Sequence, residues 1–183
     1  MSSDGDGSGS QGDVCRGAYL REMAWFAGAV ALIQTLRTNA EAVSGGGKDY
    51  SGLNLSNQDL SGQSFIGKDF SQAIAEGTNF KGSDLSGTRF YKANLKGADL
   101  SGAKMRAASF EAAQLDGVSL KNADASSAYF SGSSLDKVES IENSDFSEAL
   151  MRQGVNRMLC EREDAKGVNP STGVDTRESL NCP

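Results

Sequence analysis

The sequence contains no histidine, and this absence limits the chemistry that the protein can perform. Histidine is the commonest general base near neutral pH and the commonest metal ligand, so its absence removes the usual catalytic dyads, triads and zinc sites. The sequence also lacks a phosphate-binding glycine loop, a dinucleotide fingerprint and a nucleophile elbow. We therefore expect that the protein is not an enzyme and has neither a cofactor nor a metal site.

Basic residues are fewer than acidic ones. The 183 residues include 18 Lys and Arg against 24 Asp and Glu, which gives a formal net charge of −6. A surface that binds nucleic acid needs clustered Lys and Arg, whereas here the two signs alternate along the chain. We expect a mixed, solvated exterior and no nucleic-acid partner.

An apolar and mostly large residue recurs at every fifth position from Tyr50 to Leu135. A period of five matches neither the α-helix nor the β-strand, and a fixed short period is typical of repeat architectures. The chain must turn a corner once per repeat, so we predict a solenoid with these side chains inside. The eighteen repeat centres are Tyr50, Leu55, Leu60, Phe65, Phe70, Ala75, Phe80, Leu85, Phe90, Leu95, Leu100, Met105, Phe110, Leu115, Leu120, Ala125, Phe130 and Leu135.

The other positions of each repeat carry small or turn-forming residues. Two residues before the centre the side chain is usually small, as at Ala93 and Ala98, which suits the limited space of a narrow core. Asp, Asn or Ser precedes the centre, and Gly often follows two residues after it, as at Gly97 and Gly102. Both features are typical of turns.

Two successive repeats, Ala93-Asn94-Leu95-Lys96-Gly97 and Ala98-Asp99-Leu100-Ser101-Gly102, fit the consensus A(D/N)LXX of the pentapeptide-repeat family. The chain resembles that family over residues 48–151. The resemblance implies an all-β solenoid, a right-handed quadrilateral β-helix with four repeats per coil. On this interpretation residues 43–151 form about five coils.

Four repeats per coil would stack residues that are 20 apart, and one such column is aromatic throughout. Rings at strand-like spacing stack favourably, which supports the predicted register. The column consists of Tyr50, Phe70, Phe90, Phe110 and Phe130.

The repeat advances by one residue after Leu135 and resumes at Ile141, Phe146 and Met151. A single inserted residue usually forms a bulge, so we expect one between Leu135 and Ile141, with Ser140 and Asp145 directed away from the core. Residues 152–183 leave the repeat and show short helical patterns. We predict that they form a helical C-terminal cap, because a solenoid end needs covering.

The first 42 residues differ in composition from the repeats. Residues 1–19 are rich in Gly, Ser and Asp and are predicted to be disordered. Residues 20–42 combine a basic flank, a short apolar run and a small-residue site ending at Ala42, which is typical of an export signal. A retained helix and a membrane anchor remain alternatives, and we expect membrane contact only through this segment, if it is uncleaved.

Removal of an export signal would also remove Cys15 and leave Cys160 and Cys182. In an exported chain two cysteines indicate one disulfide, with two free thiols as the alternative. The tail from Leu159-Cys160 and Gly167 to Cys182 resembles that of the lumenal pentapeptide-repeat proteins of chloroplasts and their cyanobacterial relatives. This resemblance implies a location in the thylakoid lumen.

Two functions fit the sequence. The first is a non-catalytic structural or protein-interaction module of the thylakoid lumen, which docks on a membrane complex or assists its assembly and has an unidentified protein partner. The alternative is a DNA mimic, as in the pentapeptide-repeat proteins that bind DNA gyrase. A mimic needs concentrated acidic charge, whereas acidic and basic residues alternate here.

Overall fold

The computed structural model describes residues 49–183, and the expectations for residues 1–19 and 20–42 lie outside the described residues. From Asn54 to Leu150 the chain forms single-residue parallel β-bridges between successive coils, beginning with Asn54 and Ile74. The bridged residues are 20 apart up to the pair formed by Ser109 and Tyr129. Four repeats therefore make one coil.

Each corner of the coil contains a residue in the left-handed region of backbone conformation. Gly97 has a φ of 64°, and Lys92, at the equivalent position one repeat earlier, has a φ of 56°. Glycine adopts this conformation without steric cost, which explains its recurrence two residues after the centre. Asp or Asn precedes many corners, and Asp69 Oδ1 accepts a hydrogen bond from Ser71 N at 2.8 Å.

The apolar centres fill the interior. The rings of the aromatic column lie nearly parallel, with centroids 4.5 Å apart for Tyr50 and Phe70, 4.8 Å for Phe70 and Phe90, and 5.0 Å for Phe90 and Phe110. The centroid of the Phe130 ring lies 5.3 Å from that of Phe110. Small residues such as Ala93 occupy the neighbouring buried position.

The register changes at residues 135–140. Leu135–Lys137 form a 3₁₀ turn, and the next bridge joins Ser119 to Ser140, which is 21 residues away. Glu139 N donates to Val118 O at 2.8 Å, so the extra residue lies between the 3₁₀ turn and Ser140. Ile141 returns to the core and is fully buried.

The bulge also shifts the last coil. Phe146 is buried in the core, and Ser140, which precedes the centre Ile141, is partly exposed. Asp145 is only 2% exposed, although its carboxylate accepts a hydrogen bond from Ser147 N at 2.8 Å in the usual corner arrangement. The C-terminal segment contacts the adjacent backbone, where Ser179 Oγ accepts a hydrogen bond from Phe146 N.

Residues 152–183 contain two short helices, α1 (Val155–Cys160) and α2 (Thr176–Ser179). Asp175 precedes α2, and its side chain accepts hydrogen bonds from the amides of Arg177 and Glu178. Turns form most of the remaining segment. Leu159 in α1 and Leu180 after α2 are buried against the core of the solenoid.

Candidate interaction surface

The outer surfaces of the coils carry opposite charges at stacked positions. Arg89 Nη1 lies 3.7 Å from Asp69 Oδ2 on the preceding coil, and Lys121 Nζ lies 2.7 Å from Glu142 Oε2 on the following coil. Lys137 Nζ lies 3.5 Å from Asp116 Oδ1. The side chains of these ion pairs are 36–67% exposed, so each pair contributes little to stability, but together they define a pattern of charge matching between coils.

Several aspartates at corners have a lowered pKa. Hydrogen bonds from the Ser61 side chain and amide lower the pKa of Asp59, and the Ser134 hydroxyl has the largest lowering effect on the pKa of Asp116. Burial raises the pKa of Asp69, but its hydrogen bonds to Ser71 and the charge of Arg89 together outweigh that effect. The carboxylates therefore act as charged turn acceptors, which is a structural role.

The C-terminal segment supplies hydrogen-bond partners to the last coil. Asn143 N donates to Lys166 O at 2.9 Å, and Ile141 N donates to Asp164 Oδ2 at 2.9 Å. The side chain of Asn169, which is fully buried, donates to Ala123 O at 2.9 Å and to Asn143 O at 3.0 Å. This segment replaces part of the coil that would otherwise follow.

Arg162 fixes the C-terminal segment to the bulge. Its Nε lies 2.8 Å from Asp164 Oδ1, and its two terminal nitrogens donate to Val138 O and Glu139 O. Burial raises the pKa of the Asp164 carboxyl, but hydrogen bonds from Arg162 and the Ile141 amide, with the charge of Arg162, lower it overall. The hydrogen bond to Asp164 likewise raises the pKa of Arg162.

A disulfide joins Cys160 to Cys182. The sulfurs are bonded at 2.00 Å, and the Cα atoms lie 5.6 Å apart. Cys160 ends α1, and Cys182 follows the buried Leu180, so the bond connects the first helix of the C-terminal segment to its last residues. Arg177 strengthens the same connection by donating to Cys160 O at 3.0 Å.

A cleft of about 330 Å³ lies where the last coil meets this segment. We name it the C-terminal cleft and define it by Phe146, residues 148–154, Asn156 and residues 179–181. Leu150 at its edge is 58% exposed, and Tyr129, its bridge partner on the coil below, is 43% exposed. The cleft is therefore an apolar surface with charged residues, Glu148 and Arg152, at its margin.

No group of three or more His, Cys, Asp or Glu side chains within residues 49–183 is arranged to hold a metal ion. No helix in this part of the chain has the length and hydropathy needed to cross a membrane.

Comparison with known proteins identifies the family. The profile described as pentapeptide repeats matches residues 54–90, 83–122 and 113–153, with 8 copies. A pentapeptide repeat protein from the thylakoid lumen of Arabidopsis thaliana is 39% identical, with a TM-score of 0.64, and the match covers 73% of this chain and 90% of that one. The chain is a pentapeptide-repeat protein.

Two further solved pentapeptide-repeat structures have lower similarity. QnrB1, a plasmid-mediated fluoroquinolone resistance protein, is 26% identical over 53% of this chain and 55% of its own, with a TM-score of 0.42. Rfr23 from the cyanobacterium Cyanothece 51142 is 26% identical over 55% of this chain and 60% of its own, with a TM-score of 0.26. No curated protein sequence matches with significance. Membership of the family implies a right-handed β-helix.

The sequence reasoning identified the cysteines and the aromatic column but missed Arg162 and Asn169. Both residues act through contacts with coils that lie more than 20 residues away. A repeat period gives no information about such contacts, because they occur once. The Asn-Pro at 169–170 indicates a turn, but nothing in it indicates that the Asn169 side chain is buried.

Proposed function

We propose that this pentapeptide-repeat protein is a non-catalytic structural and protein-interaction module of the thylakoid lumen. It docks on a membrane complex or assists the assembly of one. The similarity to the thylakoid-lumen protein of Arabidopsis, at 39% identity over 90% of that chain, is the observation that carries the proposal. The disulfide agrees with an oxidising compartment outside the stroma.

The architecture supports binding rather than chemistry. We infer a quadrilateral solenoid of about five coils, closed at one end by residues 152–183. Its surfaces carry side chains at regular spacing, as solenoids that bind proteins do. Hydrogen bonds hold the carboxylates of Asp59, Asp69 and Asp116 in corner conformations with lowered pKa, which is the opposite of the raised pKa that a general acid requires.

A DNA mimic is the alternative function. Mimicry needs acidic charge concentrated on one surface, like the phosphates of a duplex. Here Asp69, Asp116 and Glu142 each face a basic side chain on a neighbouring coil. This pairing favours the lumenal interaction module, and we propose that the protein has no nucleic-acid partner.

Localisation tests the proposal directly. The full chain should be expressed with a C-terminal epitope in a plant chloroplast system, followed by fractionation, protease protection and N-terminal sequencing. We expect a mature chain that begins near Val43 in the lumen fraction and co-migrates with a larger complex on native gels. A chain retained in the stroma, or one that migrates only as a monomer in the lumen, would contradict the proposal.

A supercoiling assay tests the alternative. Purified full chain should be added to DNA gyrase at increasing concentration, with an established gyrase inhibitor as the positive control. We expect unchanged supercoiling throughout. Inhibition at micromolar concentration would favour the DNA mimic instead.

A further inference from the structure

We propose that the C-terminal cleft binds an extended segment of a partner protein, which adds to the last coil as one further strand. The segment has a basic residue, then a small residue and two apolar residues, and then an acidic residue. This inference rests on the proposed interaction function and makes it more specific. Addition of an extended peptide to an open sheet edge is a common mode of recognition.

The backbone of the last coil has an open edge at this point. Among residues 49–183, no acceptor lies within hydrogen-bonding distance of the amide of Glu148 or of Met151, and no donor reaches Ala149 O. Open backbone groups of this kind accept another chain readily. The edge is short, because the next donor along the coil, Phe146 N, is already bonded to Ser179 Oγ.

The coil below shows how a segment would pair with this edge. Ser127 N donates to Ser147 O at 2.8 Å, and Phe130 N donates to Leu150 O at 2.7 Å. Leu150 N donates in return to Ala128 O at 2.8 Å. An incoming segment in the same register would accept from the Glu148 and Met151 amides and donate to Ala149 O.

The side chains at the edge determine which residues the segment needs. The small Ala149 and the larger Met151 occupy a partly buried position and a repeat centre, so the segment needs a small residue and a large apolar residue above them. Leu150, which is 58% exposed, favours an apolar residue above it. Burial of this apolar surface would supply much of the affinity.

Charge pairing between coils fixes the charged positions. Asp69 pairs with Arg89 and Asp116 with Lys137, so stacked residues on adjacent coils carry opposite charges. Within the described part of the chain neither Glu148 nor Arg152 forms an ion pair. The same rule places a basic residue above Glu148 and an acidic residue above Arg152.

Binding of a synthetic peptide to the full-length chain tests the inference. The probe is acetyl-Ser-Lys-Ala-Leu-Leu-Glu-amide, titrated into ¹⁵N-labelled protein while amide shifts are followed. One control peptide exchanges the Lys and the Glu, and a second is N-methylated at the first Leu, which removes the donor for Ala149 O. We expect the probe to bind at least tenfold more tightly than either control and to shift the Glu148 and Met151 amides.

A charge-exchange variant separates specific pairing from nonspecific binding. In E148K/R152E the preference should reverse, so that the peptide with exchanged charges binds more tightly than the probe. Both side chains are exposed, so the variant is expected to fold. Equal affinity of the three peptides, or an unchanged preference in the variant, would overturn the inference.

Two further outcomes also count against it. If the Glu148 and Met151 amides of the full chain alone are protected from hydrogen exchange, the edge is already occupied. Sedimentation equilibrium then distinguishes a second copy, which gives a dimer, from the N-terminal part of the same chain, which gives a monomer. Failure of peptide binding with retained co-migration in the lumen would reject the cleft but keep the proposed function, whereas the reverse result would reject the function alone.

Discussion

Arg162 donates a hydrogen bond from Nη1 to the carbonyl oxygen of Val138, 3.0 Å away and 24 residues earlier in the chain. Nη2 donates to Glu139 O at 2.9 Å, so one guanidinium binds both carbonyls of the bulge. The register change after Leu135 is therefore stabilised from the C-terminal segment and not only by the local sequence.

Replacement of Arg162 by Ala should destabilise the protein by about 2–4 kcal/mol, because hydrogen bonds from a charged group are lost and the bulge carbonyls lose their partner. Urea unfolding followed by circular dichroism measures the effect. Arg157→Ala is the matched control, since its ion pair with Glu161 is exposed, and it should change stability by less than about 0.5 kcal/mol. Equal effects of the two substitutions would contradict this role of Arg162.

The ion pair of Asp164 should make stability depend on pH. The pKa of Asp164 is lower in the folded protein than its ordinary value of 3.8, so its contribution is complete above about pH 5 and is lost as the pH falls through the lowered value. Asp164→Asn should therefore be less stable than the wild type at pH 7, and the difference in melting temperature should shrink between pH 5 and pH 2. A difference that is constant over this range would show that the carboxylate charge does not contribute.

Phe90→Ala should cost about 3–5 kcal/mol, because the fully buried ring stacks between Phe70 and Phe110 and leaves a cavity that the repeating backbone cannot close. Chemical denaturation measures this loss. Tyr91→Ala changes the adjacent residue, which is 37% exposed, and should cost less than about 1 kcal/mol. If Phe90→Ala were tolerated equally well, the aromatic column would not be a principal source of stability.

Gly167→Ala should be strongly destabilising. The φ of Gly167 is 89°, and a Cβ there would collide with Oδ1 of Asn143, so we expect a loss of about 2–4 kcal/mol. Gly173 has a φ of 75° but open space around it, so Gly173→Ala isolates the backbone strain and should cost about 1 kcal/mol. Thermal unfolding of the two variants compares them, and similar melting temperatures would contradict the close approach to Asn143.

Reduction of the disulfide between Cys160 and Cys182 should lower the free energy of unfolding by about 3 kcal/mol, as expected for a closed loop of this length. Denaturation with and without dithiothreitol measures the loss. The double variant C160S/C182S should be insensitive to the reductant and about as stable as the reduced wild type. Thiol labelling that finds both cysteines free in the native, non-reduced chain would contradict the pairing.

The repeat made the core predictable from the sequence. Leu95 and Leu100 lie at centres that the period of five identifies, and the spacing of 20 places Phe70, Phe90 and Phe110 in one column. Every coil repeats the same local geometry, so a pattern along the chain becomes a pattern in space.

The C-terminal segment could be predicted only in part. The capping of α2 by Asp175 has a sequence signal, because Glu178 follows three residues later. The contacts of Arg162 and Asn169 with the coils have none, since each depends on how a non-repeating segment folds back over the last coil. The C-terminal cleft is equally unpredictable, because it exists only where that segment stops covering the edge.

The spacing of 20 between bridged residues makes the length of the solenoid change in fixed steps. Insertion or loss of a whole coil would alter the length by about 4.8 Å and leave each remaining residue on its own side of the structure. Insertion of a single repeat of five residues would instead rotate everything beyond it by one side. Such a change would turn the C-terminal cleft by a quarter turn relative to the first coil, so the orientation of the two ends is encoded by the number of repeats between them.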